Sequence, residues 1–600
     1  MCICSCRLSE SVSSYSAYNR SRSVHFITLF ALHLSVHPYS SDVNSTMSRK
    51  TKKQSLLSSA YCNYVVDEGT VIDEVSIDDI ESFFQQYIKI RKPVKLVSSS
   101  IQGVDLDQFK VENLASYLHY DEKLQVEKKF RAGFGSSQDR IKLTLSELIS
   151  KFANGEDDLY LTTQYDFDDP DKKLSEEGGI SDSDSDEEFD ETNNSESSKH
   201  DTPDNESNEE QENLDSEDGH NLQSDKQNST DVKDKNLDDD EDDRASLACS
   251  DTSSIDMNNL HDDYEDEDEE GDEGQEQLLS VDGVLISAEE ATFRVKELLQ
   301  PPLCNLAKTS FPIIPKIFDG LVPQQINLWM GYSATKKTNS YSLDENDEET
   351  FGLGKYIPGS KHGTSSGLHH DHADNLYILV SGSKRFTLFS PADAKKLATV
   401  GKIYKLFNSG IIDYHIDENA PNWKHIRDDG AIVEEIAHWM LEQEEITDDD
   451  EERLLRDIKE ELAERKKAKQ AKVGTNKLDP PNFSKIPPGL LHIDEFEEKD
   501  RCKIIDFANK HFPDVLLLNR LTVWLKPGEM LYLPAGWFHE VSSFGKESAS
   551  QNLENVHIAI NYWFVPPNDE NNMYKDNYWK DDWKKTQASL KLVNLDKIEL

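Results

Sequence analysis

The 600-residue sequence predicts a mainly β globular protein with flanking helices, broken by one long acidic insertion. Three observations support this. Strand-like runs appear at Val94–Val97, at Asp158–Thr163 and on both sides of Ser381–Lys384. Amphipathic runs at helical spacing accompany them. Charge is unevenly spread: Asp171 to Glu276 holds 42 Asp and Glu against 7 Lys and Arg, a net of −35, which leaves −16 of the total −51 for the other 494 residues.

Hydrophobic residues make up 36% and charged residues 30%, against roughly 45–50% and 25% in average globular domains. Direct nucleic-acid binding is not expected, because phosphate neutralisation needs clustered Lys and Arg. No run approaches the ~18 apolar residues of a transmembrane helix, so no membrane partner is expected. The seven cysteines form no C-x-x-C pair: Cys2, Cys4 and Cys6 crowd the N-terminus, and Cys62, Cys249, Cys304 and Cys502 are isolated. Neither a disulfide framework nor a zinc finger fits, and cytoplasm or nucleus is the expected compartment.

In chain order, residues 1–59 read as a disordered leader or as sequence upstream of the true start. The stretch is Ser-rich, with Arg7, Arg20 and Arg22 and an apolar run from Val24 to Val36 that His25 and His33 interrupt. A targeting peptide fits this composition; Met47, opening Met-Ser-Arg-Lys-Thr-Lys-Lys, is the favoured start, and Arg49 to Lys53 has the composition of a nuclear signal. Residues 60–165 are globular. Ile80, Phe83, Phe84, Tyr87 and Ile88 sit at helical spacing, Pro93 opens the strand Val94–Val97, and the amphipathic run Leu145 to Phe152 precedes the strand Asp158–Thr163.

Residues 166–277 form the acidic tract, which cannot bury enough apolar surface to offset its chain entropy and is expected to be disordered. Ser181, Ser183 and Ser185 each precede an acid by three residues, an acidophilic-kinase pattern; a purely solubilising surface insertion is the alternative. Residues 278–600 are globular again, with two insertions. The polar segment 340–361 is expected to be a flexible loop. Segment 434–476 reads as a charged helix, with Thr447 as N-cap, acids in the first turn, and Lys466, Lys467, Lys469 and Lys472 at its far end. Its stripe Leu454, Leu455, Ile458 and Leu462 is expected to rest on the domain, with partner recruitment as the alternative.

The chemistry is concentrated in Gly367-Leu-His-His-Asp-His-Ala-Asp-Asn-Leu-Tyr-Ile-Leu-Val-Ser-Gly-Ser-Lys-Arg-Phe-Thr-Leu-Phe389. Its second half patterns as a β-hairpin turning at Gly382-Ser383, so that Leu379 faces Phe386 and Tyr377 faces Leu388. Counting by twos places His369, Asp371, Asn375, Tyr377 and Lys384 on one face, with His370 and His372 pointing away. His369 and Asp371 can both reach one metal ion. The third ligand of a two-His-one-carboxylate triad, the donor set suited to Fe(II), comes from the Pro-Gly turn and strand of Lys526–Val541, which presents His539. Lys384, on the metal face but too far along to be a ligand, suits the distal carboxylate of a dicarboxylate such as 2-oxoglutarate.

These motifs resemble the JmjC (jumonji C) family of Fe(II)- and 2-oxoglutarate-dependent oxygenases, within it the small hydroxylase branch. Matching segments are Ile326–Gly331, Leu368–Lys384, Gly528–His539 and Ala559–Phe564, within roughly 75–165 and 285–570. The resemblance implies a double-stranded β-helix (cupin or jelly-roll barrel), iron ligands His369, Asp371 and His539, and Lys384 as the 2-oxoglutarate carboxylate partner. It also implies that Ser366, Asn375, Tyr377 and Asn561 line the cosubstrate pocket, Ser366 standing where the family often has Thr. The implied reaction couples decarboxylation of 2-oxoglutarate, with O2, to hydroxylation of a C–H bond, here on a lysine of a protein substrate, a translation-associated GTPase. The C-terminal aromatic run Tyr574 to Trp583 resembles helices that make homodimers in this branch. Competing readings are a histone lysine demethylase, a hydroxylase of a modified tRNA base, and a catalytically silent cupin module binding basic partners through the acidic tract.

Overall fold

In the computed structural model the described residues are 66–164 and 278–600, except 77–82, 98–102, 131–132, 136–138, 334–340, 359–362, 444–445, 472–478, 547–548, 550 and 570–572. The leader with Met47 and the basic cluster, the acidic tract with its three serines, Ile80 and Lys472 lie outside them.

Seventeen strands are described. The first seven are short: β1 (Asp73–Ser76), β2 (Val94–Val97), β3 (Leu124–Lys128), β4 (Arg140–Leu143), β5 (Leu159–Leu161), β6 (Leu279–Val281) and β7 (Val284–Ile286). Then come β8 (Pro323–Tyr332), β9 (Thr364–His369), β10 (Asp374–Ser381), β11 (Ser383–Phe389), β12 (Ile403–Leu406) and β13 (Ile412–Tyr414). The last four are β14 (Leu521–Leu525), β15 (Met530–Leu533), β16 (Phe538–Phe544) and β17 (Val556–Phe564).

Eight of them make a double-stranded β-helix. One sheet runs β15-β10-β17-β8, the other β14-β11-β16-β9. From β8 to β11 each successive strand crosses to the opposite sheet, β11 pairs directly with β14, and from β14 to β17 the crossing resumes. The larger sheet is extended by β1 and β2 at one edge and by β5, β3 and β4 at the other, so the segments before and after the acidic tract share one sheet. That tract is therefore an insertion between β5 and β6 of a continuous fold.

The expected hairpin at Gly382 is not one. β10 hydrogen-bonds to β15 and β17, β11 to β14 and β16, and the chain changes sheet between Ser381, opposite Ile558, and Ser383, opposite Phe544. Gly382 permits the crossing: its φ is +82°, and a Cβ there would lie 2.6 Å from the His557 Cβ. The inward parity nonetheless holds. Tyr377 and Phe386 meet edge-to-face across the barrel, 5.1 Å apart, in a core with Leu379, Leu388, Val523 and Leu531. Period-2 alternation is the same whether two strands pair side by side or face one another through a core.

The insertions also depart from expectation. Residues 341–358 are anchored, not flexible: Phe351 stacks on Phe507 at 4.8 Å, and Tyr341 donates to Asp500 at 2.6 Å. The charged segment is two helices, Val433–Leu441 and Asp448–Ala471, both in the long connection between β11 and β14. Thr447 caps the second, accepting from the Asp450 amide. Its inward face is Ile458, Glu461, Arg465 and Ala468, with Arg465 paired to Glu434, whereas Leu455 and Leu462 are exposed. Phe83, Tyr87 and Ile88 are buried on a π-helical turn, Phe84–Ile88. Of the C-terminal aromatic run, Tyr574 and Trp579 are buried within this chain.

Candidate active site

His369 ends β9 and His539 lies on β16, and the two are directly opposed in the antiparallel ladder. Opposed residues point to the same face with Cβ atoms about 4.5–5.5 Å apart, which brings the imidazoles together, their centroids 4.3 Å apart. Asp371, in the link to β10, completes the cluster: one ligand atom from each residue lies within 4.8 Å of the others, and His539 Nε2 is 3.7 Å from Asp371 Oδ2. Both imidazoles are fixed from behind. His369 Nδ1 faces the Gly367 carbonyl and His539 Nδ1 the Trp537 carbonyl, each at 3.0 Å. A carbonyl only accepts, so both Nδ1 atoms carry the proton and both Nε2 atoms turn a lone pair to the site. Burial, and then the neighbouring His539, hold His369 well below the usual imidazole pKa, which favours the ligating neutral ring. Nitrogen and carboxylate donors without a thiolate suit Fe(II).

The turn that presents His539 is tied down at three points. Gly536 N donates to the Asp371 carbonyl at 2.8 Å, Ala535 N to Asp374 at 2.9 Å, and Trp537 Nε1 to the Arg91 carbonyl at 3.0 Å. Gly536 has φ +78°, and a Cβ there would lie 1.8 Å from the Gly410 carbonyl oxygen. Gly536→Ala is therefore expected to cost upwards of about 3 kcal/mol from strain and collision together. Metal affinity measured on the folded fraction is expected to fall with it; wild-type stability by denaturant unfolding would contradict the assignment.

A cavity of about 710 Å³, including its open mouth, joins the triad to the barrel interior. It is lined by all three ligands and by Ser366, Asn375, Tyr377 and Asn561, together with residues that spacing did not indicate: Phe134, Arg140, Tyr160, Trp329, Phe483 and Trp563. Lys384 and Ser543 are not among the lining residues: Lys384, 1% exposed, donates to Ser543 Oγ at 2.6 Å and, at 3.1 Å, to the OH of Tyr160, which does line the cavity. Among the described residues no carboxylate is within ion-pair distance of it. Burial, reinforced by the charge of Lys129, pushes its pKa well below the usual lysine range. Phe134, also in the lining, stacks on Tyr160 at 3.7 Å.

His369, Asp371, His539, Ser366, Asn375, Tyr377 and Asn561 are thus brought together around one cavity, whereas Lys384 touches its wall only through Tyr160; Ser366 adds one refinement. Ser366 lines the cavity, but its hydroxyl donates to the Gly367 carbonyl and accepts from Val541 N, bridging an irregular register between β9 and β16. His370 and His372 point away, contacting Tyr414 OH and the Ile412 carbonyl. Ser543 had a usable signal: it lies four residues beyond His539, hence on the same face, opposite Lys384. Tyr160 had none, being 224 residues from the lysine it contacts.

A family model described as a cupin-like domain matches residues 81–570. JmjC domain-containing protein 4 of Schizosaccharomyces pombe (strain 972) is 31% identical over 348 residues, 50% of this chain and 67% of that protein. The chain belongs to the cupin-like JmjC family. Membership and the His369, Asp371 and His539 cluster together point to an oxygenase of the Fe(II)/2-oxoglutarate type. In this JmjC protein the acidic tract falls within the matched span, between β5 and the separate β6-β7 pair, and β5 before it still pairs with β8 after it, so the tract lengthens a connection without dividing the large sheet.

Proposed function

We propose that this chain is an Fe(II)- and 2-oxoglutarate-dependent oxygenase that hydroxylates a protein side chain, a lysine of a translation-associated GTPase. The observation that carries the reading is a His369, Asp371 and His539 triad lining a cavity whose wall includes Tyr160, the hydrogen-bond partner of a buried Lys384 that has no carboxylate partner among the described residues. His369, Asp371 and His539 would hold the iron, and Lys384, Ser543 and Tyr160 would receive the distal carboxylate of 2-oxoglutarate. Bound iron would supply the activation of O2 that couples decarboxylation of the cosubstrate to C–H hydroxylation. Phe134, Phe386, Phe483 and Val541 contribute apolar surface to the cavity wall, which would limit water at the reacting groups. Outside the acidic tract the chain is still net acidic, which favours encounter with a basic, lysine-bearing partner over a nucleic acid. Cytoplasm or nucleus as the compartment, and a homodimer as the assembly, belong to the same proposal.

Quantitative mass spectrometry of lysine peptides from wild-type and deletion cells tests the substrate. Loss of one added oxygen on a GTPase lysine in the deletion is the expected result. Accumulation of methyl-lysine on histones would favour a demethylase instead, and no change in either would contradict both.

A further inference from the structure

Four side chains on separate elements form a directed hydrogen-bond relay that ends on an iron-site carboxylate. Trp329 Nε1 on β8 donates to Asn561 Oδ1 on β17 at 2.8 Å. Asn561 Nδ2 donates to Asn375 Oδ1 on β10 at 3.2 Å, and Asn375 Nδ2 donates to Asp371 Oδ2 at 3.4 Å. Asn375, Asn561 and Asp371 are each less than a tenth exposed, so bulk water does not compete for these groups.

The relay has only one consistent direction. An amide presents a donor on one side and an acceptor on the other, and either can be turned toward a neighbour. Taken alone, Asn561 and Asn375 could flip together and keep the bond between them. That flip would aim the Asn375 carbonyl at the Asp371 carboxylate, two acceptors facing one another. The indole decides between the two states, because its N–H can only donate. Holding Asn561 Oδ1, it turns Asn561 Nδ2 toward Asn375, which turns Asn375 Nδ2 toward Asp371.

We propose that Trp329 is a positioning residue for the metal site: it acts through Asn561 and Asn375 to fix the orientation of the Asp371 carboxylate, touching neither the metal nor the reacting atoms itself. The same orientation leaves each amide one further N–H, so cosubstrate orientation would follow as well; that consequence rests on the function proposed above, whereas the effect on Asp371 does not. Trp329 is half-buried at the cavity wall, and Phe in its place keeps an aromatic ring while removing the donor.

The test is Co(II) titration of the metal-free, full-length protein, read by its visible absorbance, for wild type, Trp329→Phe, Asn561→Ala and the double variant. Loss of an outer partner of a metal ligand typically weakens binding 10–100-fold. Trp329→Phe is expected to weaken Co(II) about tenfold, Asn561→Ala to do the same, and the double variant to be no weaker than either, since both cut one relay. Affinity within twofold of wild type in Trp329→Phe, or losses that multiply in the double variant, would overturn the proposal. Should Trp329→Phe fail to fold, Asn561→Ala decides alone: wild-type affinity in it overturns the relay. A wild type that binds Co(II) but never consumes 2-oxoglutarate would sink the proposed function and leave the relay standing.

Discussion

Lys384→Met is expected to weaken 2-oxoglutarate binding about 100-fold, the loss of a charge-assisted contact worth about 3 kcal/mol. It is also expected to make the ligand-free protein more stable. The amine is buried, pushed well below its ordinary pKa by burial and by Lys129, and shares no ion pair among the described residues. The sign follows from proton counting. Between the depressed folded value and the ordinary lysine value of about 10.4, the unfolded chain binds the proton that the folded chain has lost, so stability rises with pH. Methionine removes that penalty, and its advantage shrinks as pH rises. A dicarboxylate acts the other way, drawing the proton back onto Lys384, so cosubstrate affinity is expected to fall as pH rises through the depressed value. Calorimetry in buffers of different ionisation heat checks this: net proton uptake on binding in the wild type and none in Lys384→Met. Binding unaffected by the substitution would remove Lys384 from the site.

Asp374→Asn is expected to cost roughly 3–5 kcal/mol, the range for breaking a buried ion pair from one side. Asp374 is fully buried and accepts from both terminal nitrogens of Arg91, from Tyr532 OH at 2.8 Å and from Ala535 N at 2.9 Å. Arg91 in turn reaches the Ser409 carbonyl at 3.0 Å, and its own carbonyl receives the Trp537 indole. One carboxylate thus joins the N-terminal segment, the connection before β13 and the turn that presents His539. Urea unfolding of Asp374→Asn should show the loss, and metal affinity should fall with it. A cost below about 1 kcal/mol, typical of an exposed ion pair, would contradict the role given to this residue.

The barrel residues were legible wherever the signal was local. His369, Asp371, Asn375, Tyr377 and Lys384 share a face by parity alone, and that parity survived although the hairpin supporting it did not exist. Chain crossing at Gly382 left no trace in the alternation, since both strands bury the same face in either arrangement. His539 was found because a Pro-Gly turn and a bend at Gly536 frame it. Tyr160 and Phe134 could not be found in this way: they reach the cavity from an added edge of the sheet, and no periodicity links them to Lys384. The insertion at 341–358 was misread because its polar composition hides three anchors, Tyr341, Phe351 and Tyr356, whose partners lie far along the chain in the helix Glu498–His511 and at Phe496. Asn375 and Asn561, expected as cavity lining, also carry a relay whose direction depends on Trp329 and which no single segment contains.

In the proposed function His369, Asp371 and His539 would hold the iron, and 2-oxoglutarate would reach from it toward Lys384. Succinate formation from 2-oxoglutarate by the purified full-length protein, with Fe(II) in air, tests it most directly. Wild type is expected to release succinate, with Asp371→Ala and Lys384→Met each reduced to background. Wild type loaded with Fe(II) and releasing none, or Asp371→Ala releasing as much as wild type, would contradict it.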